Sequence, residues 1–133
     1  MSTPSASQPA PDPVVGFGQL LRIALFPSAI ADVLVGISVA HLGGVPLAPV
    51  VWLLIPSSLG IYHGAMALND WADREVDARE RPERPIPSGA IPSSIALGVA
   101  ILLMLGGAMW AAAAGPRAGI WMAAVANLEA HYD

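Results

Sequence analysis

The sequence predicts an all-α fold, a bundle of about four helices that crosses a membrane several times. Composition is the first observation: 55% of the 133 residues are hydrophobic, only 12% are charged, and the mean hydropathy is +0.60. A soluble domain carries about 25% charged residues, so these values argue against a water-soluble globule and against a disordered chain. The second observation is a set of long uncharged stretches, since a helix needs about 20 mostly apolar residues to cross a membrane.

Charge and residue content exclude several other classes of protein. The 6 basic residues are all arginine and face 10 acidic ones, which gives a net charge of −4. A nucleic-acid partner is therefore not expected, because the phosphate backbone requires the opposite sign. The absence of cysteine rules out disulfide frameworks, thiol nucleophiles and thiolate metal sites. An integral membrane protein, with membrane lipid as a partner, is the class that remains.

The predicted elements follow in order along the chain. Residues 1–16 are rich in proline and serine and are predicted to form a disordered tail before a transmembrane domain over residues 17–133. From Ile23 to Ala40 the only formal charge is Asp32. The last apolar piece is long enough to cross only by a narrow margin. The predicted spans are residues 17–41, 47–68, 92–114 and 117–133.

A charged loop over residues 69–90 separates the second and third predicted spans. Ten of the sixteen charged residues lie between Asp70 and Arg84. Four of the arginines are in this loop, and Arg22 precedes most of the first span. Cytoplasmic loops carry an excess of Arg and Lys, so we predict that the loop and the N-terminus of this multi-pass protein face the cytoplasm.

The sharpest signal is an acidic cluster at the start of this loop. On a helix, Asn69, Asp70, Asp73 and Asp77 fall within about 100° of one another and share one face. Carboxylates at this spacing repel one another, but they become favourable around a magnesium ion, which prefers oxygen ligands and binds with substrate phosphates. The alternative is a solvated helix that only marks the membrane edge.

Arginines follow the acidic cluster. The guanidinium groups of Arg81 and Arg84 suit phosphate oxygens, although ordinary topology signals and ion pairs with Glu80 and Glu83 would also account for them. Carboxylates, a metal ion and arginines at the end of apolar helices together suit a lipid diphosphate, whose tail can lie between the helices while the head group stays near water.

The motif resembles one from a known family. Asn69-Asp-x-x-Asp-x-x-x-Asp77, followed by Arg81-Pro-Glu-Arg-Pro-Ile-Pro-Ser-Gly89, strongly resembles the first aspartate-rich motif of the UbiA superfamily of intramembrane prenyltransferases. The segment from Leu21 to Gly36 also resembles the first helix of that family. The resemblance implies magnesium-dependent transfer of an isoprenyl group from an isoprenyl diphosphate, through an allylic cation, to an aromatic or other lipophilic acceptor.

Residue roles follow from the resemblance. It implies that Asp70, Asp73 and Asp77 are catalytic and that they bind magnesium together with Asn69. It also implies that Asn69, Arg81 and Arg84 bind the substrate.

Two polar residues lie inside predicted spans. A carboxylate such as Asp32 costs about 2.5–3.5 kcal/mol at the centre of a membrane helix, so we expect it to face the bundle interior. There it either lines a substrate pocket, as a substrate-binding residue, or makes structural hydrogen bonds. We interpret His63 as an interior hydrogen-bonding histidine, with a catalytic base as the alternative. Glycines at 60, 64, 106 and 107 are predicted to allow close helix packing.

The resemblance covers only part of the family's fold. Members of the family carry a second aspartate-rich motif in a later loop and about twice as many helices, so this sequence resembles the N-terminal half of the fold. We therefore expect the chain to be incomplete and inactive by itself, with the missing C-terminal half as a partner. The alternative is a non-catalytic four-helix membrane protein, or an assembly partner, that retains only the first motif.

Overall fold

A computed structural model describes residues 12–115 of the chain. The described part is entirely helical, without a strand, which confirms the predicted fold class. Short 3-10 segments at Ile23–Leu25 and Pro49–Leu53 lead into the second and third α-helices. The α-helices are α1 (Pro13–Leu20), α2 (Phe26–Leu42), α3 (Leu54–Ala72), α4 (Arg74–Glu80) and α5 (Ser93–Ala114).

Three helical stretches of the described part are long and apolar enough to cross a membrane: Pro13–Leu42, Pro49–Ala72 and Ser93–Ala114. They correspond to the first three predicted spans, and the predicted span over residues 117–133 lies outside the described residues.

Helix α1 begins before the predicted end of the tail, so residues 13–16 are helical rather than disordered. The reason is a helix cap: the Asp12 side chain accepts a hydrogen bond from the backbone N–H of Val14 at 2.8 Å. Pro13 then occupies the first turn, where its missing N–H removes no helical hydrogen bond.

Helices α1 and α2 are separated by a sharp turn at Arg22. This residue has φ 47° and ψ 49°, and it is the only non-glycine residue of the described part with a positive φ. A left-handed conformation is strained for a residue with a side chain. The predicted first span is therefore broken near its start, and α2 begins at Phe26.

The closest packing in the bundle is between α3 and α5, where glycines face each other. A Cβ atom on Gly60 would lie 3.0 Å from the Cα of Gly107, and one on Gly107 would lie 2.8 Å from the carbonyl oxygen of Ser57. The Ser57 hydroxyl donates to the Gly107 carbonyl at 2.8 Å within this interface. The predicted role of glycine is confirmed here and at Gly64, whereas a Cβ on Gly106 would meet nothing within 4 Å.

The proline-rich segment between α4 and α5 folds back onto the helices as a compact turn. The backbone N–H of Ser88 donates to the carbonyl of Arg84 at 2.9 Å, and that of Ile91 donates to Pro85 at 3.0 Å. Gly89 has φ 80°, a conformation that glycine adopts without strain. Ile91 is buried in the core, so the turn is fixed and holds Arg84 beside α3. The core residues are Leu20, Ala67, Ile91, Ala96 and Ala100.

Candidate functional site

The acidic cluster lies where α3 ends and α4 begins. Asp73 separates the two helices, and its backbone N–H donates to the carbonyl of Asn69 at 2.9 Å. The prediction of one continuous helical face is therefore wrong, because the helix breaks at Asp73. Asp70 and Asp77 are buried, while Asn69 and Asp73 are exposed.

Arg84 joins the two buried carboxylates. Its Nη1 donates to Oδ1 of Asp70 at 3.2 Å and to Oδ2 of Asp77 at 2.7 Å. Asp70 and Asp77 are only 6% and 4% exposed, and charges buried to this extent require a partner of opposite sign. Arg84 therefore pairs with the aspartates rather than with the neighbouring Glu80 and Glu83.

Arg22 is a second cation at the site, although its position in the sequence indicated only the orientation in the membrane. Its Nη2 lies 3.5 Å from Oδ1 of Asp70. One signal was available in the sequence, since Arg22 is the only basic residue before Arg74. Its left-handed backbone places strain next to the buried aspartate, and such strain is concentrated at functional sites in proteins.

These side chains border a cavity of about 300 Å³. Both cations and the buried Asp70 line it, so its wall carries charges of both signs. Its volume is at the lower end of the range for ligand sites, about 300–1,000 Å³. A small anionic head group, alone or with a cation, matches this size and chemistry. The lining residues are Gln19, Arg22, Asp70, Glu83, Arg84 and Pro85.

The charge of Arg84 is stabilised by its surroundings. Burial acts against the charged form, but the hydrogen bond to Asp77 and the negative charges of Asp70, Asp77 and Asp73 outweigh it and raise the pKa of Arg84 above its usual value. Arg84 is therefore cationic at any pH at which the protein is folded. Arg84 thus provides a permanent positive charge in the wall of the cavity.

The donor set fits magnesium in part. Magnesium binds through one or two carboxylates together with substrate phosphates, and Asp70 with Asp77 provides two adjacent carboxylates. Within residues 12–115, however, no three His, Cys, Asp or Glu side chains lie close enough together to hold a metal ion. The predicted site of Asn69, Asp70, Asp73 and Asp77 stays a prediction, in which the exposed Asn69 and Asp73 side chains must turn towards the buried pair.

The other predicted substrate-binding residues lie apart from this cavity. Arg81 ends α4, is exposed, and makes no ion pair with the described residues. Asp32 is exposed rather than buried among the described helices, so the expectation that it faces the bundle interior is wrong for this part of the chain. It lines a separate cavity of about 330 Å³ between α2 and α3, whose polar lining includes Ser58 and Tyr62. At about 100° and 1.5 Å per residue, residues 62 and 58 lie about 80° and 120° around α3 from Asp70, and about 12 and 18 Å from it along the helix axis. Their roles stay predictions.

Comparison with known proteins agrees with the motif. Residues 29–132 match the model of the UbiA prenyltransferase family. The chain is similar to digeranylgeranylglyceryl phosphate synthase of Ignicoccus hospitalis, with 36% identity over 77 residues, which are 58% of this chain and 25% of that protein.

Two further relatives have higher sequence identity over shorter segments. The bacteriochlorophyll synthase 33 kDa chain of Rhodobacter capsulatus is 54% identical over 41 residues, 31% of this chain and 14% of that protein. Chlorophyll synthase of Arabidopsis thaliana is 50% identical over 40 residues, 30% of this chain and 10% of that protein.

The matched segments thus span a quarter or less of the length of these three curated relatives. No solved structure matches the chain. The family match covers well over half of the chain and includes the acidic motif with Arg84. The chain belongs to the UbiA prenyltransferase family.

Proposed function

We propose that these residues form the diphosphate-binding end of a prenyltransferase site. The reaction is magnesium-dependent transfer of an isoprenyl group from an isoprenyl diphosphate to an aromatic or other lipophilic acceptor. One observation carries the proposal: Arg22, Asp70 and Arg84 line one cavity, with Asp77 paired to Arg84 beside it, where a membrane-spanning helix ends. An amphipathic substrate requires this combination of a charged cavity and adjacent apolar helices.

The arginines bind the diphosphate in this proposal. Guanidinium groups donate in pairs to phosphate oxygens, and Arg22 and Arg84 approach the cavity from different segments of the chain. The bond between the diphosphate and the first isoprenyl carbon breaks with its electron pair moving to the diphosphate, so fixed positive charges stabilise the leaving group. Arg81, at the exposed end of α4, adds a further cation at the rim.

The aspartates hold the magnesium ion. Asp70 and Asp77 would supply two carboxylates that already lie together, and Asp73 and Asn69 would have to turn inward to complete the ligand set. Magnesium, when bound, neutralises charge on the diphosphate. Arg84 then exchanges its carboxylate partners for phosphate oxygens, which preserves a counter-ion for each buried charge.

Asp32 binds a part of a substrate that lies far from the diphosphate. Its carboxylate is the charged group of an otherwise largely apolar cavity, so it accepts a hydrogen bond from a hydroxyl or amine on a lipophilic molecule. Its cavity lies about two to three turns along α3 from Asp70, which separates this contact from the reacting end.

The second candidate is a non-catalytic membrane protein, and the ion pairs favour it in one respect. Arg84 and Arg22 already neutralise the buried aspartates without any ligand. In that case the cluster only fixes the end of α3 against the following turn, and the protein has no affinity for diphosphates.

A binding experiment distinguishes the two candidates. The 133-residue chain in lipid nanodiscs is titrated with radiolabelled geranylgeranyl diphosphate, with magnesium and with EDTA. We expect magnesium-dependent binding that is lost when Asp70→Asn and Asp77→Asn are combined. The matched control is Glu75→Gln, which removes a carboxylate from an exposed position on α4 and should leave binding unchanged. Binding that ignores EDTA, or that survives the double substitution, contradicts the proposal.

A further inference from the structure

His63 is a buried imidazole whose hydrogen-bonding capacity is unused. It is 2% exposed, and neither Nδ1 nor Nε2 has a hydrogen-bond partner among the described residues. The expected interior hydrogen bond is therefore not found, although the interior position is. An imidazole always has a nitrogen that donates or accepts, and a membrane interior offers no water to replace a missing partner. At least one of the two nitrogens therefore requires a partner that the described residues do not supply.

The neighbouring rings and backbone fix the imidazole in place. The ring of Phe26 lies 4.1 Å from that of His63, and the ring of Tyr62 meets it edge-on at 5.1 Å. The backbone carbonyl of Leu21 lies beside the imidazole but does not reach hydrogen-bond geometry. A small shift would let Leu21 accept from one nitrogen, and the other nitrogen would then remain as an oriented acceptor.

A cavity adjoins the imidazole. Its volume is about 270 Å³, and it lies between the start of α2, α3 and α5. Apart from His63 its lining is apolar or aromatic and carries no charged side chain, which excludes an anionic or cationic occupant. Its side chains include Leu21, Phe26, Pro56, Leu59, His63 and Trp110.

This cavity lies on the same side of α3 as the charged cavity at Asp70, further along the helix. Asp70 follows His63 by seven residues on α3, which is close to two full turns, so the two side chains lie on one side of the helix about 10 Å apart along its axis. The adjacent residues Leu21 and Arg22 line this cavity and the charged cavity respectively. Under the proposed function, a diphosphate at Asp70 would lie about two turns of α3 from His63.

We propose that His63 hydrogen-bonds the reacting group of the acceptor, a neutral lipophilic molecule with a hydroxyl group such as a phenol. The inference rests on the proposed function and adds the acceptor class to it. An isoprenyl chain alone does not satisfy the imidazole, because hydrocarbon neither donates nor accepts. A hydroxyl does both, so it pairs with His63 whichever nitrogen carries the proton.

The test uses the three histidines of the chain as spectroscopic probes. Histidine-selective ¹⁵N labelling gives three imidazole spin systems in nanodiscs, and His63→Phe identifies the one of interest. We expect 4-hexylphenol to shift the His63 nitrogen resonances and hexylbenzene, which lacks the hydroxyl, to leave them in place. We also expect His63→Phe to weaken 4-hexylphenol binding about fivefold, the effect of one hydrogen bond. His41→Phe, an exposed position, is the matched control.

Three outcomes overturn the inference: no shift at saturating phenol, equal shifts with both probes, or His63 resonances that are already hydrogen-bonded without a probe and do not change. If His63→Phe fails to fold, His41→Phe and His131→Phe identify the other two spin systems, and the wild-type spectra then decide the outcome.

Diphosphate and phenol titrations of the wild-type chain, run side by side, separate the two proposals. A phenol-dependent His63 shift in a wild-type chain that shows no magnesium-dependent diphosphate binding supports the hydroxyl site and contradicts the proposed transferase. Diphosphate binding without any phenol shift supports the transferase and contradicts the role of His63.

Discussion

Arg84→Met should destabilise the bundle by about 3 kcal/mol, because it leaves two buried carboxylates without their shared partner. Removing one member of a buried ion pair costs about 3–5 kcal/mol. The lower end applies here for two reasons: the Arg84 side chain is itself 23% exposed, and Arg22 remains 3.5 Å from Asp70 as a substitute cation. Asp77 is the residue that loses most, since its 2.7 Å bond to Arg84 is its only ion pair within residues 12–115.

The free energy of unfolding is measured by circular dichroism as SDS is titrated into detergent-solubilised protein. Arg84→Lys should recover part of the loss, since an ammonium keeps the charge but lacks the planar fork. Adding Asp77→Asn to Arg84→Met should also recover part of it, because the cost arises from an uncompensated charge. Arg81→Met is the control, and its exposed side chain predicts a change within about 0.5 kcal/mol. Equal stability of Arg84→Met and the wild type, or no recovery in the double variant, would refute the reasoning.

Three further predictions concern packing, strain and orientation. Gly107→Ala should cost about 1–3 kcal/mol in the same SDS titration through overpacking of α3 against α5, and the open position Gly106→Ala should not; equal losses would contradict the packing. Arg22→Gly should be about 1 kcal/mol more stable than Arg22→Ala, because glycine relieves the positive φ, while both lose diphosphate affinity to the same extent; the reverse order of stability would show that the turn is unstrained. Since the chain has no cysteine, a membrane-impermeant maleimide should label Val45→Cys and not Glu80→Cys in intact cells, and the opposite pattern would reverse the proposed orientation.

The sequence predicted the membrane helices and the acidic motif because both depend on local pattern. A long run of apolar residues is predicted to cross the membrane whatever it packs against. Gly107 could be assigned to helix packing because small residues are typical of helix contacts in membranes. The break at Asp73 was not predicted, since periodicity favours a continuous helix and no proline or glycine marks the end of α3. The start of α1 was placed too late because composition outweighed the capping signal of Asp12 and Pro13.

The contacts of the site could not be predicted because they join segments that are distant in sequence. Neighbouring glutamates were the obvious partners for Arg84 from the sequence, and only the turn that buries Ile91 returns the arginine to α3. Arg22 reaches Asp70 through a left-handed turn that could not be predicted from the sequence, since arginine has no preference for that conformation.

The guanidinium of Arg84 is the shared counter-ion of Asp70 and Asp77, two carboxylates that repel each other without it. In the proposed function, a diphosphate that arrives with magnesium replaces the carboxylate partners of Arg84 and the arginine partner of the aspartates one at a time. No helix then has to move before the ligand binds. Capture is then a side-chain event, on the timescale of rotamer changes rather than of helix rearrangement.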